Sequence, residues 1–143
     1  HLSIRRQRQM CISDRLVRNS DIICTTTPST TPVLPDDKEL LRGKCIIAIG
    51  SYMPEMREIP DAVLDLVDNV YIELPYACEE SGDLSQPLAS GKLTKDRVKL
   101  MHEYLVSGEK EIKEGQTTYF KSVGMGLFDV CIAQKLYEVA KEK

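Results

Sequence analysis

No apolar run in this chain approaches the roughly 18 to 20 residues needed to span a bilayer, and no secretory leader is visible. No membrane association is therefore expected, and the cytoplasm is the expected compartment. The five cysteines, Cys11, Cys24, Cys45, Cys78 and Cys131, form no Cys-x-x-Cys pair and have no neighbouring histidine, so no metal site is expected. Their odd number, with three of them inside apolar runs, points to buried thiols in reducing surroundings rather than to a disulfide framework. A basic face is also missing. With a net charge of −3 and a pI near 5.5, the chain does not have the footprint of a nucleic-acid binder, and Arg5, Arg6 and Arg8 read as a solvated end. Internal repeats and low-complexity tracts are absent too. The chain opens on His1 rather than methionine and enters a patterned segment at once, so it is expected to be a piece of a longer protein.

What is present is the composition of an ordinary globular domain, 42% hydrophobic and 29% charged, enough to build a core in 143 residues. Its most informative stretch runs from Gly43 to Glu58. Residues 45–49 are apolar without polar alternation, which suits a strand buried on both faces, and Gly50 lets the backbone turn or approach a ligand where that strand ends. In an open parallel sheet, ligands collect beyond the carboxyl ends of strands, so Ser51, Tyr52 and Glu55 stand where chemistry is expected.

Taken in order, residues 1–12 give a weak strand or coil, and Ser13 or Asp14 can cap a short helix through Asn19. Residues 21–26 read as a strand that ends in a hydroxyl-rich, proline-punctuated loop. A short helix over 36–41, closed by Gly43, precedes the strand at 44–50. Pro60 opens a further helix with Val63, Leu64 and Val67 on its buried stripe, and residues 69–74 form a third strand. Strands alternating with short helices indicate a parallel α/β sheet, half of a doubly wound domain. Residues 75–88 read as turn-rich. Thr94 can cap a helix through Val106, residues 117–122 are extended, and a long helix covers 123–141 with Phe128, Ile132, Leu136 and Val139 at helical spacing.

Isolated motifs carry little chemistry. Gly124-Met-Gly126 lacks the third glycine of a dinucleotide fingerprint and follows no buried strand. Ser122 can act as an N-cap, leaving the next amides for an anion, a carbonyl or protein oxygen. His102 reads as an exposed helical residue. The pairs Glu79/Glu80 and Glu55/Glu58 have no visible partner to tune them for acid–base work.

Four segments taken together are more specific: residues 21–34 (Asp-Ile-Ile-Cys-Thr-Thr-Thr-Pro-Ser-Thr-Thr-Pro-Val-Leu), residues 47–58 (Ile-Ala-Ile-Gly-Ser-Tyr-Met-Pro-Glu-Met-Arg-Glu), Ser81-Gly82-Asp83 and Phe120-Lys-Ser-Val-Gly124. In order and spacing they resemble the ornithine cyclodeaminase/mu-crystallin family. That resemblance implies a partial Rossmann-type doubly wound parallel sheet, α/β in class, and a carboxy-terminal helix returning to a second domain that is largely absent here. Residues 1–110 would be the later part of the dinucleotide-binding domain, and residues 111–143 the return segment and helix that belong to or contact the substrate and dimerisation domain. It implies NAD or NADP as cofactor, a small amino or imino acid as substrate, and a homodimer at full length.

Carried over by position, Thr26, Thr27 and Pro28 line the cofactor, Gly50, Ser51 and Tyr52 pass beside the nicotinamide, and Ser122 and Val123 close over it. The catalytic lysine and carboxylate-binding arginines of the family would lie upstream. Tyr52 is the candidate catalytic residue within this chain. It stands where the cyclodeaminases carry an aspartate, and a phenol, with an ordinary pKa of about 10, does not replace a carboxylate base at neutral pH. Reduction of a ketimine or cyclic imino acid by hydride is therefore expected ahead of ornithine cyclodeaminase or alanine dehydrogenase activity, with a non-catalytic dinucleotide-binding protein or an inactive fragment as the remaining readings.

Overall fold

The computed structural model describes residues 14–107 and 112–141. The expectations for residues 1–12, including the arginine cluster and Cys11, lie outside the described residues. Helical residues 14–18 (α1) lead into β1 (Ile22–Thr25). The side chain of Asp37 accepts from the amide of Glu39 and so starts α2 (Lys38–Leu41), and Gly43 follows it at φ 72°, a left-handed turn that favours glycine. The apolar run then forms β2 (Cys45–Ala48). Pro60 precedes α3 (Asp61–Leu66), where its missing amide hydrogen costs nothing, and β3 (Val70–Ile72) comes next. The remaining elements are α4 (Ala77–Glu80), α5 (Gly82–Ser90), a single 3₁₀ turn at Lys95–Arg97, β4 (Val98–Leu100), α6 (Met101–Ser107), β5 (Thr118–Lys121) and α7 (Gly126–Lys141).

All five strands are parallel and lie in the order β1-β2-β5-β3-β4. The return segment expected from residue 111 thus first adds a strand to the middle of the sheet, where Lys121 is in register with Ala48 on one side and Ile72 on the other. The core gathers Ile46, Ala48, Val63, Leu64, Val70, Ile72, Leu84 and Tyr119 between the sheet and its helices. No residue of α7 is buried, and its apolar side chains Leu127, Ile132, Leu136 and Tyr137 stay exposed.

Four expectations need correction. The helix read over 94–106 is broken: Val98–Leu100 is a strand paired with β3, and the helix starts only at Met101. Arg97 explains the break, because its guanidinium donates to the carbonyls of Leu64 and Val67 at 2.6 Å each, fixing the chain beside the end of α3 and feeding the next residues into the sheet. The stretch 75–88, read as turns from its proline and glycine, forms α4 and α5. Ser81 caps α5 by accepting from the Asp83 amide, and burial of Leu84 outweighs the cost of Pro87 inside the helix.

The third correction is to β2, which is fully buried on one face only: Ile46 and Ala48 are enclosed, while Cys45 and Ile47 are half-buried. Fourth, the cysteines are not the buried thiols expected. Cys24 on β1 and Cys131 on α7 are exposed, and Cys45 and Cys78 are partly covered.

Candidate functional site

Because the strands are parallel, their carboxyl ends share one edge of the sheet, and the neighbours β1, β2, β5 and β3 place the loops after them along a single rim. Thr26, Thr27 and Pro28 follow β1; Gly50, Ser51 and Tyr52 lie just past β2; Ser122 and Val123 follow β5. The structure therefore places these eight residues, the ones carried over by position, at the ends of three neighbouring strands. Their roles within the rim differ, however. Thr26, Pro28 and Tyr52 are exposed, Tyr52 to 46%, and Thr27 and Val123 are half-buried. Ser51 is enclosed, its hydroxyl donating to the Met56 carbonyl at 2.8 Å and meeting the Ser81 hydroxyl at 2.9 Å.

Three buried carboxylates that sequence reasoning did not assign to the site hold the rim in place. Glu58, fully buried, accepts from the Thr27 amide at 2.5 Å through Oε1, and from the Thr25 hydroxyl at 2.9 Å and the Gly50 amide at 2.8 Å through Oε2. It thus ties the end of β1 to the end of β2. Asp83 accepts through Oδ1 from the amides of Glu58 at 2.7 Å and Ile59 at 3.0 Å. Glu73, just past β3, accepts through Oε1 from the Ser122 hydroxyl at 2.8 Å and the amides of Val123 at 2.6 Å and Gly124 at 2.9 Å. Ser122 is consequently not the N-cap of α7, which begins at Gly126, and the amides that a capped helix would have offered to a ligand are held by protein oxygen.

Beneath the rim lies a fully enclosed cation. Lys121 ends β5 with its ammonium 3.7 Å from Asp83 Oδ2, and both side chains are wholly shielded from solvent. Burial pushes the lysine pKa down, against the pull of Asp83, Glu58 and Glu73; burial likewise pushes the Asp83 carboxyl up, against the hydrogen bonds from Ile59 and Glu58 and the charge of Lys121. Tyr119, two residues earlier on the same face of β5, is also enclosed, and burial drives its phenol well above its ordinary value.

The sequence did carry a signal for this cluster, namely a lysine at i+2 from an aromatic residue within an extended segment, which puts both on one face of a strand. Glu58 was considered only as half of an acid–base pair. Its partners are backbone amides and a hydroxyl brought in from other strands, which spacing along the chain does not show. Among the described residues no group of His, Cys, Asp and Glu is placed to hold a metal, and no helix is long and apolar enough to cross a membrane.

Comparison with known proteins agrees with the four-segment resemblance. The chain is 35% identical over 134 residues to Delta(1)-pyrroline-2-carboxylate reductase of Bacillus cereus, covering 92% of this chain and 41% of that protein. The probable ornithine cyclodeaminase of Bordetella pertussis superposes with a TM-score of 0.74 at 30% identity, over 92% of this chain and 42% of that one. Delta(1)-pyrroline-2-carboxylate reductase of Thermococcus litoralis, solved with NADH and L-proline, matches in fold with a TM-score of 0.74 at 23% identity, over 90% of this chain and 40% of that one. The chain therefore spans about two fifths of the length of these relatives. A parallel sheet with its loops gathered at one edge, the four matched segments on or beside that rim, and a family model covering residues 7–143 together establish that this chain belongs to the ornithine cyclodeaminase/mu-crystallin family.

Proposed function

We propose that this chain forms the nicotinamide-side wall of an NAD(P)H-dependent reductase that acts on a ketimine or a cyclic imino acid of the pyrroline-2-carboxylate kind. The observation that carries the reading is Tyr52, exposed on the rim two residues past Gly50, in place of the aspartate of the cyclodeaminases this chain resembles. The similarity to Delta(1)-pyrroline-2-carboxylate reductase over nearly the whole chain supports the same choice.

The residues present fit the nicotinamide end of a dinucleotide better than its phosphates. The amides of Thr27, Gly50, Val123 and Gly124 are already held by Glu58 and Glu73, so these four are not open to an anion, and the carboxylates beneath the rim disfavour one. An uncharged or cationic ring suits such a wall. Thr26, Pro28 and Tyr52 would flank that ring, with the backbone at Gly50 and Val123 behind it. When bound, the cofactor supplies the hydride. The work of this chain is to fix the ring's position and, through the Tyr52 hydroxyl, to donate a hydrogen bond to the substrate or ring. Residues 111–143 would complete the sheet with β5 and then carry α7, through its uncovered apolar side chains, to the substrate domain and a homodimer partner.

The test is oxidation of NADH and of NADPH by the whole protein in the presence of pyrroline-2-carboxylate or piperideine-2-carboxylate. Turnover with at least one imine is expected. Tight dinucleotide binding without turnover on either would overturn the reductase reading in favour of a binding protein, and turnover of ornithine alone would favour a cyclodeaminase.

A further inference from the structure

We propose that Lys121 is the positioning residue of the rim, a buried counter-charge that acts through Asp83 and Glu58 to hold the loops after β1 and β2 in the arrangement that receives the dinucleotide. This inference rests on the nicotinamide-side reading above.

The chain of contacts is continuous. Lys121 Nζ faces Asp83 Oδ2 at 3.7 Å; Asp83 Oδ1 fixes the backbone at Glu58 and Ile59; and the Glu58 carboxylate fixes Thr25, Thr27 and Gly50. Both oxygens of Glu58 act as acceptors, one of them twice, so a single side chain fixes three donors at the ends of β1 and β2. The residues just past Lys121 and β5 are held by Glu73, so the central strand and its two neighbours meet at one buried cluster of three carboxylates and one ammonium.

A lysine needed only to fill space could be replaced by methionine, which has a similar length and loses no solvation on burial, and such replacements of buried ion pairs are often neutral or stabilising. A charge kept under the rim therefore requires a reason. The geometry supplies one: the loops it controls carry Thr26, Pro28 and Tyr52, while Lys121 itself is fully enclosed beneath them.

The experiment compares the whole protein with its Lys121→Met and Asp83→Asn variants, measuring the dinucleotide Kd by fluorescence titration, the KM for the imino acid, kcat and Tm. Asp83→Asn keeps the acceptor oxygen for the amides of Glu58 and Ile59 and serves where Lys121→Met does not fold. Dinucleotide affinity is expected to fall about tenfold in either variant, with a smaller change in the imino-acid KM, because a misplaced loop costs binding even when the fold survives. A lowered Tm with an unchanged dinucleotide Kd is the result for a merely structural lysine and overturns the inference. A wild-type protein that binds no dinucleotide overturns the reading of the site and the inference with it, so the two failures are distinguishable.

Discussion

At Gly50 the β1 and β2 loops come so close that an added Cβ would collide with the backbone N and O of Thr27 and sit 2.7 Å from Glu58 Oε1. The glycine was expected to allow a turn or the approach of a ligand; what fills the space is the chain itself. Gly50→Ala should therefore destabilise the protein by about 1 to 3 kcal/mol, read from the denaturant midpoint, since the neighbours are backbone atoms and a clamped carboxylate with little room to give. Tyr52, two residues on, separates binding chemistry from stability. It is exposed, so Tyr52→Phe should leave stability within about 0.5 kcal/mol of wild type. If its hydroxyl makes the proposed hydrogen bond, worth about 1 kcal/mol, kcat/KM for the imine should drop about fivefold. An unchanged kcat/KM would remove Tyr52 from the chemistry.

Among the elements, α3 is tied to two neighbouring segments through one of its side chains. Asp65 pairs with Lys38 of α2 at 2.7 Å and with Lys92, just past α5, at 2.6 Å, and these two bonds hold its carboxyl below the ordinary value of 3.8. A carboxylate with a depressed folded pKa contributes stability that is present above its unfolded pKa and lost as pH falls through the folded value. The Tm advantage of wild type over Asp65→Asn should therefore be present near neutrality and disappear on acidification below 3.8, and an advantage that persists in acid would contradict the pairing.

Elements whose signals are local were legible in the sequence. The short helix before Gly43, Pro60 at a helix start and the apolar runs of β1 to β3 all fall where they were expected, within a residue or two. The elements that were misread depend on distant partners: β4 is a strand because β3 lies beside it and Arg97 is drawn to α3, and α5 tolerates Pro87 because Leu84 is buried in the core. The same division runs through the site. Its exposed residues could be placed from the strand ends, whereas Glu58, Glu73, Asp83 and Lys121 acquire their roles only when strands far apart in sequence are side by side.

At the scale of the whole molecule, two apolar surfaces have no cover among the described residues. One is α7, with Leu127, Val130, Ile132 and Leu136 each more than half exposed; the other is the outer side of β1, where Ile22 is 65% exposed and the strand pairs only with β2. An uncovered strand edge and an uncovered helix stripe both invite association. The isolated 143-residue chain is expected to bind a hydrophobic dye and to self-associate, measured by fluorescence and sedimentation. A monomer with a sharp, cooperative melt and no dye binding would contradict this.

The placement of β5 also bears on how the molecule is made. Without it, β1 pairs only with β2 and β3 only with β4, and no backbone ladder joins the two ribbons. Of the five strands the one that unites them leaves the ribosome last, and its Thr118 must pair with Cys45, about half the chain earlier. Contacts of such long sequence separation slow folding. A nascent chain stalled before residue 118 should therefore hold two protease-sensitive halves, and resistance should arrive in one step once Lys121 has been synthesised, so that the sheet and its buried charge cluster are completed together.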